Sequence, residues 1–189
     1  MLKLDPKRAV LVAIDLQKGI IGMPIAPHPA ATVVANSTRL AEALTRAGGT
    51  VFRVHVAFSA DGADRLKQEV DQAMASGQRP PDWADFVPEV AGWKGALEIV
   101  KRQWGAFHGT ELDLQLRRRG LDTIVLTGVA TNFGVEQTAR EAWQLGYSVV
   151  VAEDAVSSVS EAAHRFAVET ILPRLARVRS TEAILAALG

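Results

Sequence analysis

Thr127-Gly128-Val129-Ala130-Thr131-Asn132-Phe133-Gly134-Val135-Glu136-Gln137-Thr138-Ala139-Arg140 reads as the end of a buried strand, a sharp turn and the start of a helix. A side chain at position 134 would sit at the helix N-terminus, where partial positive charge stabilises a thiolate. Glycine has no side chain to place there. The stretch has the layout of a nucleophile turn without the nucleophile.

Outward from this turn, strands and helices alternate. Ala9-Val10-Leu11-Val12-Ala13-Ile14 is a continuous apolar run, as expected of a strand buried on both faces. Val33, Val34, Ser37, Leu40, Ala41 and Leu44 recur at helical spacing, with Gly48 as the C-terminal cap. Further strands are expected over Thr50 to Val56, Leu97 to Val100, Thr123 to Thr127, Val149 to Ala152 and Arg177 to Ser180. Helices are expected over Leu112 to Arg119, from Val135 to before Gly146, over Ala162 to Leu172 and over Thr181 to Leu188. At Gly48/Gly49, Gly120 and Gly146 a helix ends in glycine and a strand follows within three residues. Such short joints mark parallel βαβ units. The expected fold is a three-layer α/β/α, Rossmann-like domain, with helices on both faces of a mostly parallel sheet of about six strands.

The chain of 189 residues is 48% hydrophobic and fits a single domain over 1–189. Its 21 basic residues balance its 21 acidic ones, so charge points to neither nucleic acid nor a membrane as a partner. Cysteine is absent, which excludes disulfides and thiol chemistry. No apolar run is long enough to span a bilayer and none begins the chain as a signal core, so a cytoplasmic location is expected. Residues 59–95 break the alternation. They are polar, carry Pro80-Pro81 and offer one short helical candidate, Arg65 to Ala75. A lid or subunit-contact insertion is the favoured reading, against a tolerated surface insertion.

Three segments should meet beyond the carboxyl ends of the strands, where open parallel sheets bind ligands. Asp15 ends the first strand, and poor hydration there would raise its pKa into the range of an acid or base. Its alternative is a turn cap over Leu16-Gln17-Lys18. Lys101 ends the Leu97–Val100 strand and suits a carboxylate or an anionic substrate; a solvated surface lysine is the alternative. The backbone N–H groups of the Gly128–Gly134 turn suit negative charge, unless Thr131 or Asn132 simply caps the helix.

Val12-Ala13-Ile14-Asp15-Leu16-Gln17, Lys101-Arg102-Gln103-Trp104-Gly105-Ala106-Phe107 and Gly128-Val129-Ala130-Thr131-Asn132-Phe133-Gly134-Val135 together resemble the isochorismatase-like (cysteine hydrolase) superfamily. The likeness runs over nearly the whole chain. It is strongest to a bacterial branch that shares the Lys101–Phe107 block and the glycine. The resemblance implies an Asp–Lys–Cys triad in which Asp15 is the acid/base and Lys101 the lysine, while Gly134 stands at the cysteine position. It implies a cis peptide between Val129 and Ala130, and an oxyanion turn of Val129, Ala130 and Phe133. Gln17, Trp104, Phe107 and Asn132 are candidates for the wall of the pocket. A homodimer or homotetramer acting on a small-molecule substrate is expected on the same ground.

The glycine closes the thioester route of nicotinamidase-like relatives. True isochorismatases resemble this chain in keeping the aspartate and lysine with glycine at the third position. Their vinyl-ether hydrolysis protonates a methylene carbon and adds water, which needs an acid and placed charge but no nucleophile. The implied function is a hydrolase of a small carboxylate-bearing molecule, with a vinyl ether one candidate and isochorismate one candidate among those. Residues 59–95 depart from the true isochorismatases. The alternatives are a retired family member that binds small acids or serves as a scaffold, and an amidase that uses activated water.

No cofactor and no metal is expected. His55 lacks the spaced histidines of the nicotinamidase metal site and is read as structural. His28 and His164 carry no specific signal, His108 is a remote auxiliary acid, and Asp154 is read as fixing a turn. Arg117-Arg118-Arg119 is read as a solvated helix end. Trp83, Trp93 and Trp104 are expected around the entrance, and Trp143 on a packed or subunit face.

Overall fold

The computed structural model describes residues 2–72 and 79–189. Six strands, β1 (Ala9–Ile14), β2 (Thr50–Val56), β3 (Leu97–Lys101), β4 (Thr123–Val129), β5 (Ser148–Ser157) and β6 (Arg177–Arg179), form one sheet in the order β3-β2-β1-β4-β5-β6. Every pairing is parallel. The chain moves outward from β1 to β3, then returns to lay β4 beside β1. That reversal opens a crevice at the carboxyl ends of β1 and β4.

β1 is buried along its whole length, and its alternate residues face opposite layers. Val10, Val12 and Ile14 pack with Leu112 and Leu116 of α4 (Leu112–Arg118) and with Ala139 and Ala142 of α5 (Glu136–Gln144). Ala9 and Leu11 pack with Leu40 and Leu44 of α2 (Ala30–Arg46) and Ile184 of α7 (Thr181–Leu188). This alternation, extended by Ile124 and Leu126 against Val125, makes the three layers. Gly48, Gly120 and Gly146 take φ of 78°, 67° and 84°, the left-handed turns that let each helix stop directly before its strand.

Several elements differ from expectation. Two short helices, α1 (Lys18–Ile21) and α3 (Pro88–Ala91), were not anticipated; at four residues each they leave no periodicity to read. Residues 65–72 are irregular rather than helical, and the rest of that candidate, 73–75, lies outside the described residues. The helix expected over Ala162 to Leu172 is α6 (Glu161–Phe166), continued by a π turn (Ala167–Ile171) and a 3₁₀ turn (Leu172–Arg174) at Pro173. β5 runs past Ala152 to Ser157 through a bulge. Leu126 pairs with Val151 and Gly128 with Val156, so Thr127 alone faces Ala152–Ala155.

The second half of the 59–95 segment is built into the body of the fold. The N–H groups of Lys18, Gly19 and Val87 donate to the carbonyls of Asp85, Trp83 and Leu16 at 2.8, 3.0 and 3.2 Å. Phe86 and Val90 are buried with Leu16, Val33 and Val34. A Cβ on Gly19 would lie 2.0 Å from the Trp83 ring, so the two segments touch backbone to ring.

Candidate active site

Asp15 follows β1 immediately and takes φ 54°, the only positive φ on a non-glycine among the described residues. Its N–H donates to Val54 O at 2.8 Å, which ties this conformation to the end of β2. Holding a residue there costs about 1–3 kcal/mol and needs a surrounding structure that over-determines it. Lys101, the last residue of β3, reaches across the end of the intervening β2. Its Nζ donates to Asp15 Oδ2 at 2.7 Å and to Trp104 O at 2.8 Å, and both side chains of the pair are buried.

Gly134 faces this pair. A Cβ built on it would lie 3.0 Å from Ile14 Cγ2, 3.3 Å from Asp15 Oδ2 and 3.4 Å from Lys101 Nζ. The three segments singled out in the sequence therefore share one site. The Val129–Ala130 peptide is cis, and a π turn over Thr131–Val135 leads into α5. Gly128 allows β4 to lie against β1 here: at φ 116°, a Cβ would sit 1.9 Å from Ile14 O.

Sequence reasoning missed the residues that fasten the 101–107 loop to this turn. Buried Thr138 donates from Oγ1 to Gly134 O at 2.6 Å and accepts from Ala106 N at 3.2 Å. Glu141 accepts from Phe107 N at 3.1 Å, and its carboxylate occupies the place a Cβ on Gly105 would take, with both oxygens 2.3 Å away. The only available signal was helical spacing of polar residues, which an exposed face produces equally well.

Burial pushes the Asp15 carboxyl above the usual carboxylate range; the charge and hydrogen bond of Lys101 oppose that push without cancelling it. Asp15 Oδ2 is held by Lys101, whereas Asp15 Oδ1 is buried with no partner among the described residues. A proton on that carboxyl belongs on Oδ1, the oxygen not already accepting from an ammonium. The arrangement is a buried acid with one anchored and one free oxygen, next to a fixed cation and a space without a side chain.

The Isochorismatase domain family matches residues 9–183. The chain belongs to the isochorismatase family. It is 50% identical over 188 residues to the isochorismatase family protein YecD of Escherichia coli O157:H7, covering 100% of both chains. It is 28% identical over 186 residues to the phenazine biosynthesis protein PhzD1 of Pseudomonas aeruginosa, covering 96% of this chain and 87% of that one. A solved isochorismatase family protein from Burkholderia thailandensis superposes with a TM-score of 0.95 at 44% identity, over 100% of this chain and 98% of that one. The chain is thus an isochorismatase-family hydrolase with the fold of that family.

Within this isochorismatase-family site, several expected wall residues have other work. Gln17 is buried, and its amide is committed to backbone: Nε2 donates to Val56 O and Trp83 O at 3.1 and 3.2 Å, and Oε1 accepts from Val56 N at 2.9 Å. It staples β1, β2 and the Trp83 loop instead of facing a ligand. Phe107 is a core residue against Tyr147, with ring centroids 5.7 Å apart. Asn132 accepts from Ser158 Oγ, which ties the turn to the end of β5. The Phe133 N–H closes the turn onto Ala130 O at 3.1 Å and is not offered to an oxyanion. Its half-exposed ring meets the half-exposed Trp104 ring at a tilt of 50° with centroids 4.8 Å apart, so an aromatic pair forms at the residue whose carbonyl holds Lys101.

The other aromatic and charged residues separate by contact. Trp93 is not at the entrance; it packs beside α2 and donates to Thr38 Oγ1 at 3.2 Å. Trp83 lies on Gly19 beneath the Arg79 guanidinium. His55 bonds Ala84 O at 2.7 Å and lies on the Phe86 ring, a structural placement. Asp154 accepts from Thr181 N and Oγ1, both at 2.7 Å, fixing the start of α7. His108 is exposed, and Trp143 is exposed on α5. Arg117, in the last turn of α4, donates to Leu145 O at the carboxyl end of α5. None of the helices among the described residues is long and apolar enough to cross a membrane. His28, Glu153 and His164, which the sequence left without a role, gather with three potential ligand atoms within 4.8 Å of one another.

Proposed function

We propose that this chain hydrolyses a small carboxylate-bearing molecule by acid–base chemistry of Asp15 and Lys101, with a vinyl ether as the bond broken. The observation that carries this reading is the buried Asp15 Oδ1, without a hydrogen-bond partner among the described residues, beside a Lys101-anchored Oδ2 that faces Gly134, where no side chain offers a nucleophile. Burial favours the protonated acid. Oδ1–H gives its proton to the terminal methylene carbon, and the ether carbon becomes an oxocarbenium. Water adds to that carbon and returns a proton to Asp15; the hemiketal then collapses to a ketone and the released alcohol. Lys101 holds the carboxylate that exists between the two transfers, where fixed charge in a dry site acts most strongly. The Trp104–Phe133 pair would cover a planar substrate. A homodimer or homotetramer belongs to the same reading by family likeness, and sedimentation at a single-chain mass would remove it.

Turnover is read by mass spectrometry over a panel of carboxylate-bearing vinyl ethers, amides and esters. Asp15→Asn should lower kcat by about 100- to 10,000-fold, the range of a lost general acid. Since the protonated acid is the active form, kcat should fall as pH rises through the raised pKa of Asp15. Full activity in Asp15→Asn would end the proposal, as would tight binding of small acids without turnover of any substrate, the behaviour of a retired enzyme.

A further inference from the structure

We propose that His28, Glu153 and His164 form a site for a divalent transition cation, Zn²⁺ by donor type, separate from Asp15 and Lys101. Two imidazole nitrogens and one carboxylate oxygen, with a fourth position left for water or a ligand, are a donor set zinc accepts readily. The Nε2 of His28 lies 3.0 Å, and that of His164 3.9 Å, from the same oxygen, Glu153 Oε1. Bonds of about 2.0–2.2 Å in a tetrahedral shell place ligand atoms about 3.3 Å apart. The His28–Glu153 spacing is already close to that value, the His164–Glu153 spacing closes by a rotation of the partly exposed Glu153, and the two histidines, whose ligand atoms lie within 4.8 Å, close by a rotation of the partly exposed His28.

Glu153 and His164 lie on regular elements, and His28 on a loop tied to the end of β5. Glu153 sits in the β5 bulge opposite Thr127, where the strand re-aims its side chains. His28 is held by its backbone N–H, which donates to Ser157 Oγ at 3.2 Å, and by the Ala26–Ser158 bridge beside it. His164 lies on α6, whose first turn is capped by Ser160. His164 Nδ1 meets Thr131 Oγ1 at 2.9 Å. With Nδ1–H donating there, the lone pair is left on Nε2, the nitrogen that faces Glu153. A fixed second-ring partner of this kind orients histidine ligands in metal sites. The buried His164 forms the floor, and the side chains of His28 and Glu153, 24% and 38% exposed, leave a way in from solvent. On binding, the proton that His28 Nε2 shares with Glu153 passes by way of solvent to Nδ1, so that the neutral ring presents the Nε2 lone pair to the cation. Because Thr131 is in the same turn as Gly134, the cation would also brace the catalytic turn from outside the Asp15–Lys101 pair.

The test is calorimetric titration of the chelator-treated full chain with ZnCl₂, with Co²⁺ absorption as a coordination readout and melting temperature as a third signal. One Zn²⁺ per chain, visible Co²⁺ bands and a raised melting temperature are expected. Thr131→Val should weaken binding by about 10- to 100-fold, the usual loss for a second-ring partner. His28→Ala and Glu153→Gln should each weaken it by at least that much. Both alter partly exposed side chains, so their metal-free melts should match the wild type and rule out misfolding as the cause. Absence of Zn²⁺ binding in the wild type overturns the assignment. So does equal binding by wild type and variants, which would place the ion elsewhere, for instance at His55 and Glu98.

Discussion

Replacing Lys101 with methionine leaves an unbranched side chain one heavy atom shorter and removes its charge. The wild-type contact is a 2.7 Å ion pair with both partners buried, and Lys101 also donates to Trp104 O. Removing one partner of a buried pair costs about 3–5 kcal/mol, because the remaining charge is neither solvated nor matched. For a domain of this size about 1 kcal/mol corresponds to about 2–4 °C, so the melting temperature should fall by about 6–20 °C near neutral pH. The pH dependence gives a sharper check. Asp15 is already raised by burial, with Lys101 opposing; without Lys101 it rises further. Between the unfolded value of about 3.9 and the folded value, the native state binds more protons than the unfolded state. Stability contributed by this group is therefore lost as pH rises through that window, and the window extends higher in Lys101→Met than in the wild type. Urea melts at pH 5 and pH 8 should show the variant closer to wild type at the lower pH. An equal gap at both pH values, or no gap at pH 8, would refute the picture of a buried acid held against its own desolvation.

Two further substitutions probe the turn. Gly128→Ala should lose at least about 4 kcal/mol, since its Cβ would lie 1.9 Å from Ile14 O at φ 116°; a urea midpoint equal to that of wild type would contradict the close approach of β1 and β4. Gly134→Cys places a thiol whose Cβ is 3.4 Å from Lys101 Nζ, after a shift of a few tenths of an ångström by the Ile14 methyl. Iodoacetamide should label it faster than a free cysteine at pH 7, as expected where a cation lowers a thiol pKa; labelling at the free-cysteine rate would argue against a preserved anion-stabilising site.

Local chemistry made much of this molecule legible before any coordinates. The glycine-terminated helices before β2, β4 and β5 announce parallel βα units, because only the short left-handed stop permits so brief a joint. The apolar run of β1 announces a strand covered on both faces. Asp15 could be set at a strand end because it terminates such a run, and Lys101 because it follows the short strand-like stretch Leu97-Glu98-Ile99-Val100. Gln17 and Phe107 were misplaced for a related reason. Periodicity tells that a residue is buried, and it carries no information about whether the neighbour is a ligand, a backbone amide or another ring.

The sequence by itself determined the α/β class, the strand and helix order along most of the chain, and the absence of a thiol at position 134. Only the tertiary structure decided that Lys101 spans the end of β2 to meet Asp15, that Thr138 and Glu141 clamp the 101–107 loop, and that His28, Glu153 and His164 converge. Caps and alternation are set by bonds between near neighbours along the chain. Those meetings depend on strand order and on a bulge in β5, and both arise from packing between residues far apart in sequence.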